Sequence, residues 1–188
     1  MRVSTLLGAT LAISAGIWGV VGQAALAVTL SDGTVNFVGV PRLEGASTTF
    51  NQTYAWGATY YFTIVVPEDA GEPLQRIAIA QHEGSDDIEF DLKESRAYEG
   101  KRRNRESEIP LLAATPQNNR RILEISFNPP VSPGKTVTIA LKPIQNPRYG
   151  GVYLFGVTAF PAGEKARGQF LGFGRLHFYE RGDWGRYW

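Results

Sequence analysis

Four carboxylates crowd one short stretch of the chain: Asp86, Asp87, Glu89 and Asp91. Several carboxylate oxygens in one place are what a hard cation such as calcium takes, so the cluster is a candidate metal site. Asp87, Glu89 and Asp91 alternate with Ile88, Phe90 and Leu92, which is the pattern of the solvent face of a half-buried strand. The spacing of a calcium-binding loop with its central glycine is missing. The solvent-face reading is preferred, and no metal site is assigned. His82 and His177 are the two histidines. On adjacent strands, with a carboxylate such as Glu83, they would suffice for a metal site, although two separate surface histidines are the commoner outcome. A Ser-His-Asp centre would need one of them, yet no serine sits in a Gly-x-Ser-x-Gly elbow. Carboxylate pairs for glycoside hydrolysis are defined by separation in space, so a hydrolase using Asp or Glu stays open. The run from Gly168 to Gly174 is no phosphate loop, because no Lys-Ser/Thr follows it. Its glycines, interleaved with Phe170 and Phe173, predict a bulge or a close backbone crossing. No catalytic residue and no cofactor is assigned.

Aromatic side chains offer a second kind of chemistry. Exposed Tyr and Trp stack on sugar rings or anchor protein partners. Tyr61, Tyr98 and Tyr149 fall at positions expected to face solvent, whereas Trp56 and Tyr60 share a face with Phe62 and Ile64 and are expected in the core. The terminal segment 181–188 holds Trp184, Tyr187 and Trp188, with Gly182 and Gly185 breaking any regular element. These rings either fold back over an edge of the core or dock on a partner.

The elements that must position these residues are strands. From Tyr54 to Val66 the chain alternates: Tyr54, Trp56, Ala58, Tyr60, Phe62, Ile64 and Val66 on one face, smaller and polar residues on the other. The same period places inward Ile77 and Ile79; Ile88, Phe90 and Leu92; Leu123, Ile125 and Phe127; Val137, Ile139 and Leu141; Leu176 and Phe178. Val152 to Phe160 is apolar on both faces and should be central or covered twice. Turn signals fall at Asp32-Gly33, Asn128-Pro129-Pro130, Ser132-Pro133-Gly134 and from Asn146-Pro147 to Gly150-Gly151. Glu94 to Pro110, charged and poor in apolar anchors, reads as a protruding solvated loop, and Pro161 to Gly168 as one helical turn or a loop. About eight to nine short strands with this punctuation predict an antiparallel β-sandwich, immunoglobulin-like in general layout. A membrane barrel needs longer segments with apolar-out alternation, and is disfavoured.

The N-terminus reads as a cleavable export signal. Arg2 precedes an uncharged, mostly apolar run from Leu6 to Val21, which closes on Ala25-Leu26-Ala27, so cleavage is expected before Val28. An uncleaved anchor is the alternative. The run is broken by Gly8, Ser14, Gly16 and Gly19 and is short of the ~20 residues a span needs. One domain, residues 28–188, is expected after cleavage. That chain balances 18 basic against 18 acidic side chains, without the basic field that nucleic-acid binding relies on. The absence of cysteine excludes disulfides, thiolate catalysis and Cys-ligated metals.

Several motifs occur in order: Thr34-Val-Asn-Phe-Val, Tyr54-Ala-Trp-Gly-Ala-Thr-Tyr-Tyr-Phe, Glu72-Pro-Leu-Gln-Arg-Ile, Glu83-Gly with Asp87-Ile and Phe90-Asp-Leu, Asn146-Pro through Gly151-Val-Tyr-Leu-Phe-Gly-Val-Thr-Ala-Phe-Pro-Ala-Gly, and Gln169-Phe-Leu-Gly-Phe-Gly-Arg-Leu-His-Phe-Tyr. In these the chain resembles a cyanobacterial family of exported proteins known as domain of unknown function 2808, over nearly all of residues 28–180. The resemblance implies a cyanobacterial origin and export; it implies no activity and no functional residues. The expectation is therefore an exported, non-catalytic binding or structural module of the cell envelope, with a protein or polysaccharide partner. A hydrolase of envelope polymers acting through Asp or Glu, and a calcium-binding exported domain, are the alternatives. Periplasm, cell exterior and thylakoid lumen are all compatible with such a signal.

Overall fold

The computed structural model describes residues 28–29, 33–117, 121–180 and 182. A short pair, β1 (Val28–Thr29) and β2 (Val35–Asn36), precedes ten strands divided between two sheets. The first sheet has the order β3 (Arg42–Thr48), β4 (Tyr60–Val65), β10 (Thr136–Pro143), β6 (Phe90–Lys101), β7 (Asn104–Ile109). The second runs β12 (Gln169–Phe178), β11 (Gly151–Pro161), β5 (Leu74–Glu83), β9 (Ile122–Val131), β8 (Leu111–Gln117). Every neighbouring pair in both sheets is antiparallel. The architecture is an antiparallel β-sandwich, and no helix among the described residues is long and apolar enough to cross a membrane.

The alternating residues build the core between the sheets. Phe62, Ile64, Ile77, Ile125, Val137, Ile139 and Leu141 are fully buried there, joined by Phe127, Leu176 and Phe178. Aromatic rings bridge the layers. Phe155 on β11 meets Tyr60 edge-on at 6.3 Å and Phe62 at 5.7 Å, and Tyr60 tilts against Phe178 at 5.6 Å. Such pairs contribute about 0.5–1.5 kcal/mol each beyond the burial of their area. Where β3 and β12 meet, Gly174 lets the layers close: a Cβ there would stand 2.8 Å from both the Ala46 methyl and the Phe62 ring. The register of β12 against β11 shifts between Val157 and Thr158, so this glycine-rich strand carries both the bulge and the close approach expected of it.

Four expectations need correction. Glu94 to Pro110 is no loop: β6 runs through it to Lys101 and turns back as β7. Its apolar anchors were hard to see because β6 is irregular between Asp91 and Arg96, which moves the inward position from Leu92 to Ala97. Asn128-Pro129-Pro130 lies inside β9, where the register against β5 shifts between Leu74 and Arg76 and so absorbs the prolines without a turn. β5, β6, β9, β11 and β12 are each 10–12 residues long, against the short strands expected. Finally, Tyr54 and Trp56 are outside the core, because β4 starts only at Tyr60.

Candidate functional site

One end of the sandwich gathers three connections: residues 49–59 between β3 and β4, 84–89 between β5 and β6, and 144–150 between β10 and β11. Asn146 joins the first of these to the last. Its buried side chain donates from Nδ2 to the carbonyls of Phe50 (3.0 Å) and Gln52 (2.9 Å) and accepts from the Tyr60 hydroxyl at 2.9 Å. Burial, with the neighbouring Tyr153, holds the Tyr60 hydroxyl well above its ordinary pKa, so it stays protonated as the donor. Backbone bonds add to the joint: Asn146 N–H donates to the Ala55 carbonyl (2.9 Å) and Tyr54 N–H to the Pro147 carbonyl (3.1 Å). Ile144 N–H reaches the Glu89 carbonyl at 2.9 Å.

These bonds hold Tyr54 in the left-handed region, with φ 58°. A tyrosine rarely sits there unless its surroundings over-determine it. Here the Gln145 side chain donates to its carbonyl, and the turn continues through Gly57 at φ 73°. The result presents large apolar groups to solvent. Trp56 is 69% exposed, and Phe50, Tyr54, Ile144, Tyr149 and Tyr179 are each about half exposed. Tyr179 joins this end through its N–H on the Asn51 carbonyl, while Thr53 N–H donates to the Tyr179 carbonyl.

Beside the aromatic rim lies an open cleft of about 540 Å³, lined by residues 84–89, Arg121 and residues 144–148. Asp86 accepts from the Arg148 backbone N–H at 2.6 Å and from its Nη2 at 2.9 Å. The Arg148 hydrogen bond is the main reason its carboxyl is held below the usual carboxylate range. Asp87 pairs with Arg121 at 2.8 Å, and Asp91 accepts from the Lys93 N–H at 2.9 Å. The acidic cluster is thus dispersed into separate contacts. No group of three His, Asp or Glu side chains able to hold a metal ion occurs among the described residues. His82 on β5 and His177 on β12 are separated by β11; one meets Phe173 edge-on at 5.2 Å and the other stacks on Tyr179 at 4.5 Å.

Of the aromatics expected to meet a partner, Tyr149 lies on this rim, 53% exposed, with the Arg148 guanidinium 5.8 Å from its ring. Trp184, Tyr187 and Trp188 lie outside the described residues, as do residues 1–27. Tyr61 and Tyr98 are corrections. They face away from the core, as their phase requires, yet they are only 6% and 5% exposed. The arginines of the β6–β7 hairpin cover them: Arg102 lies 4.5 Å from the Tyr61 ring and Arg105 4.9 Å from that of Tyr98. Sequence reasoning missed Trp56, Tyr54 and Asn146 as site residues. The signal was Gly57, a glycine inside an apparent strand, which marks where the alternation stops meaning strand.

The sequence pattern of the family described as Protein of unknown function (DUF2808) matches residues 34–178, and the chain belongs to that family. No curated protein matches it. Among solved structures, it is similar to the collagen-binding domain from a Staphylococcus aureus adhesin, with 8% identity over 65% of this chain and 87% of that one and a TM-score of 0.35. It is also similar to a cohesin module from a Clostridium perfringens family 33 glycoside hydrolase, with 11% identity over 74% of this chain and 97% of that one and a TM-score of 0.33.

Proposed function

We propose that this chain is an exported, non-catalytic binding module of the cell envelope, and that it holds a protein or polysaccharide partner at the aromatic end of the sandwich. The observation that carries the reading is the cost accepted to expose those rings: a left-handed Tyr54 and a three-bond buried asparagine hold Trp56, Tyr54 and Tyr149 out in solvent beside a polar cleft. Rigid, amphipathic rings flanked by Arg148, Gln145 and Asp86 suit both stacking on sugars and anchoring in a protein pocket. The carboxylates of the cleft work against the hydrolase alternative. Asp86 and Asp87 are paired with arginines, and a carboxyl held low by Arg148 is a poor proton donor at neutral pH.

Export follows from the signal-like N-terminus, with the mature chain beginning at Val28. Intact mass of the protein recovered outside the cytoplasm tests this, and a species retaining residues 1–27 contradicts it. Binding is tested by co-sedimentation of the chain from Val28 with native envelope. The chain is expected to pellet, and the Trp56→Ala/Tyr149→Ala variant to stay in the supernatant. Digesting the envelope beforehand with protease or with glycan hydrolases identifies the partner class. Pelleting that is equal for both proteins overturns the assignment of the site.

A further inference from the structure

The outer face of the first sheet holds a second concavity, built on β4, β10, β6 and β7, which the loops just described reach only at Thr59 and through the Lys142 ammonium, a donor to the Gly57 carbonyl at 3.4 Å. Its floor is Ala140 on β10, which stands opposite Tyr61 of β4 on one side and Arg96 of β6 on the other. A methyl between large neighbours leaves a hollow of about 310 Å³, and Tyr61, Tyr98 and Ala140 form a small apolar cluster beneath it, separate from the main core. The hairpin that walls the hollow depends on Gly100. At φ 87°, with a would-be Cβ only 2.3 Å from the Asn104 carbonyl oxygen, this position accepts nothing larger. The turn throws Arg105 back over the sheet, where its Nη2 donates a long 3.3 Å bond to the Tyr61 hydroxyl.

Two observations mark the hollow as a ligand site. The Tyr98 hydroxyl oxygen is sealed from solvent beneath it; the Arg105 guanidinium lies over its ring and interacts with it, but no hydrogen bond of good geometry is made, an omission rare in folded proteins. The wall also carries Arg96, Arg105 and Lys142 against Glu94, Glu106 and Glu108, donors and acceptors in equal number around an apolar floor. Arg96 and Glu108 already pair at 3.4 Å. A phosphate would face three carboxylates and a polyamine three cations, so neither finds a complementary field. A neutral ring with hydroxyls round its edge meets every demand: each hydroxyl accepts from a guanidinium or ammonium group and donates to a carboxylate, while a C–H face rests on Ala140 and the tyrosines.

We infer that this hollow is a binding subsite for a single neutral sugar ring, completed by the Tyr98 hydroxyl once the exposed Arg105 side chain moves off the tyrosine rings while staying on the wall as a donor. The volume lies at the small end of ligand pockets, which fits one ring rather than an oligosaccharide. The inference stands independently of the exposed rings of the loop end: of the hollow's lining, Thr59 alone belongs to residues 49–59, and none of those rings lines it.

The test is residue-resolved NMR titration of the purified chain with methyl glucoside, N-acetylglucosamine, inorganic phosphate and spermidine, each to about 50 mM, a range that covers millimolar affinity. Saturable shifts at Tyr61, Tyr98 and Ala140 with at least one of the two sugars, and with neither ion, are expected. Tyr98→Phe should weaken that binding about 5- to 10-fold, the worth of one hydrogen bond. Ala140→Leu should abolish it by filling the floor, with an unchanged spectrum of inward residues showing that the fold is intact. Trp56→Ala/Tyr149→Ala should bind the sugar as wild type does, which separates this subsite from the loop end. Shifts with phosphate or spermidine, shifts confined to the loop end, or no shift with either sugar would each overturn the inference.

Discussion

Replacing Asn146 with alanine should loosen the aromatic end from the rest of the sandwich. The side chain makes three buried hydrogen bonds, to the Phe50 and Gln52 carbonyls and from the Tyr60 hydroxyl. A typical intramolecular hydrogen bond contributes about 1 kcal/mol net, and stranding a buried hydroxyl such as that of Tyr60 costs about 1–3 kcal/mol. A loss of about 3 kcal/mol is therefore expected. For a domain of this size that lowers the melting temperature by about 6–12 °C. Denaturant unfolding of wild type, Asn146→Ala, Tyr60→Phe and the double variant measures both the loss and its origin. Tyr60→Phe alone should cost about 1 kcal/mol, and the double variant should cost less than the sum by roughly 1 kcal/mol, because no orphaned hydroxyl remains. Asn146→Ala within about 0.5 kcal/mol of wild type, or strict additivity in the cycle, would refute the claim that this asparagine is the joint of the site.

Other consequences can be measured alongside it. Asp86→Asn should destabilise the protein at neutral pH, and the difference from wild type should shrink on acidification. Because the folded-state pKa is lowered, the stabilisation is complete above the ordinary carboxyl value near 4 and is lost as pH falls through the lower folded value; a gap that widens in acid contradicts this. Gly174→Ala forces a methyl to within 2.8 Å of Ala46 and Phe62 and should cost about 1–3 kcal/mol in thermal or denaturant unfolding. Gly45→Ala, with open space around it, is the control expected to stay within about 0.5 kcal/mol. Trp56→Ala and Tyr149→Ala should each leave stability within about 0.5 kcal/mol of wild type, since both rings stand in solvent, while weakening partner binding.

The sandwich was legible because its core strands obey one period. Ile77 and Ile79, Leu123, Ile125 and Phe127, and Val137, Ile139 and Leu141 all point inward as their alternation requires. Legibility failed wherever something interrupts that period. The irregularity between Asp91 and Arg96 hid the inward turn of Ala97 and made a long strand look like a charged loop. At Trp56 the alternation ran past the true start of β4 at Tyr60, and the ring it placed in the core stands in solvent. Tyr61 and Tyr98 had the right facing but the wrong exposure, because Arg102 and Arg105, 41 and 7 residues further along the chain, fold over them from the β6–β7 hairpin, which strand alternation does not encode. Of the candidate site, the exposure of Tyr149 was readable, whereas Asn146 announced only a turn beside a proline. Its role as joint depends on Phe50, Gln52 and Tyr60, which lie 96, 94 and 86 residues away.

The central claim is that the aromatic end is where this protein meets its partner. The most direct measurement is NMR line broadening of the isotope-labelled chain from Val28 on addition of solubilised native envelope, read residue by residue. The account predicts that broadening centres on residues 50–57 and 144–149, including Tyr54, Trp56 and Tyr149, and spares the outer face of the second sheet. Broadening centred elsewhere, with the loop end untouched, would contradict it.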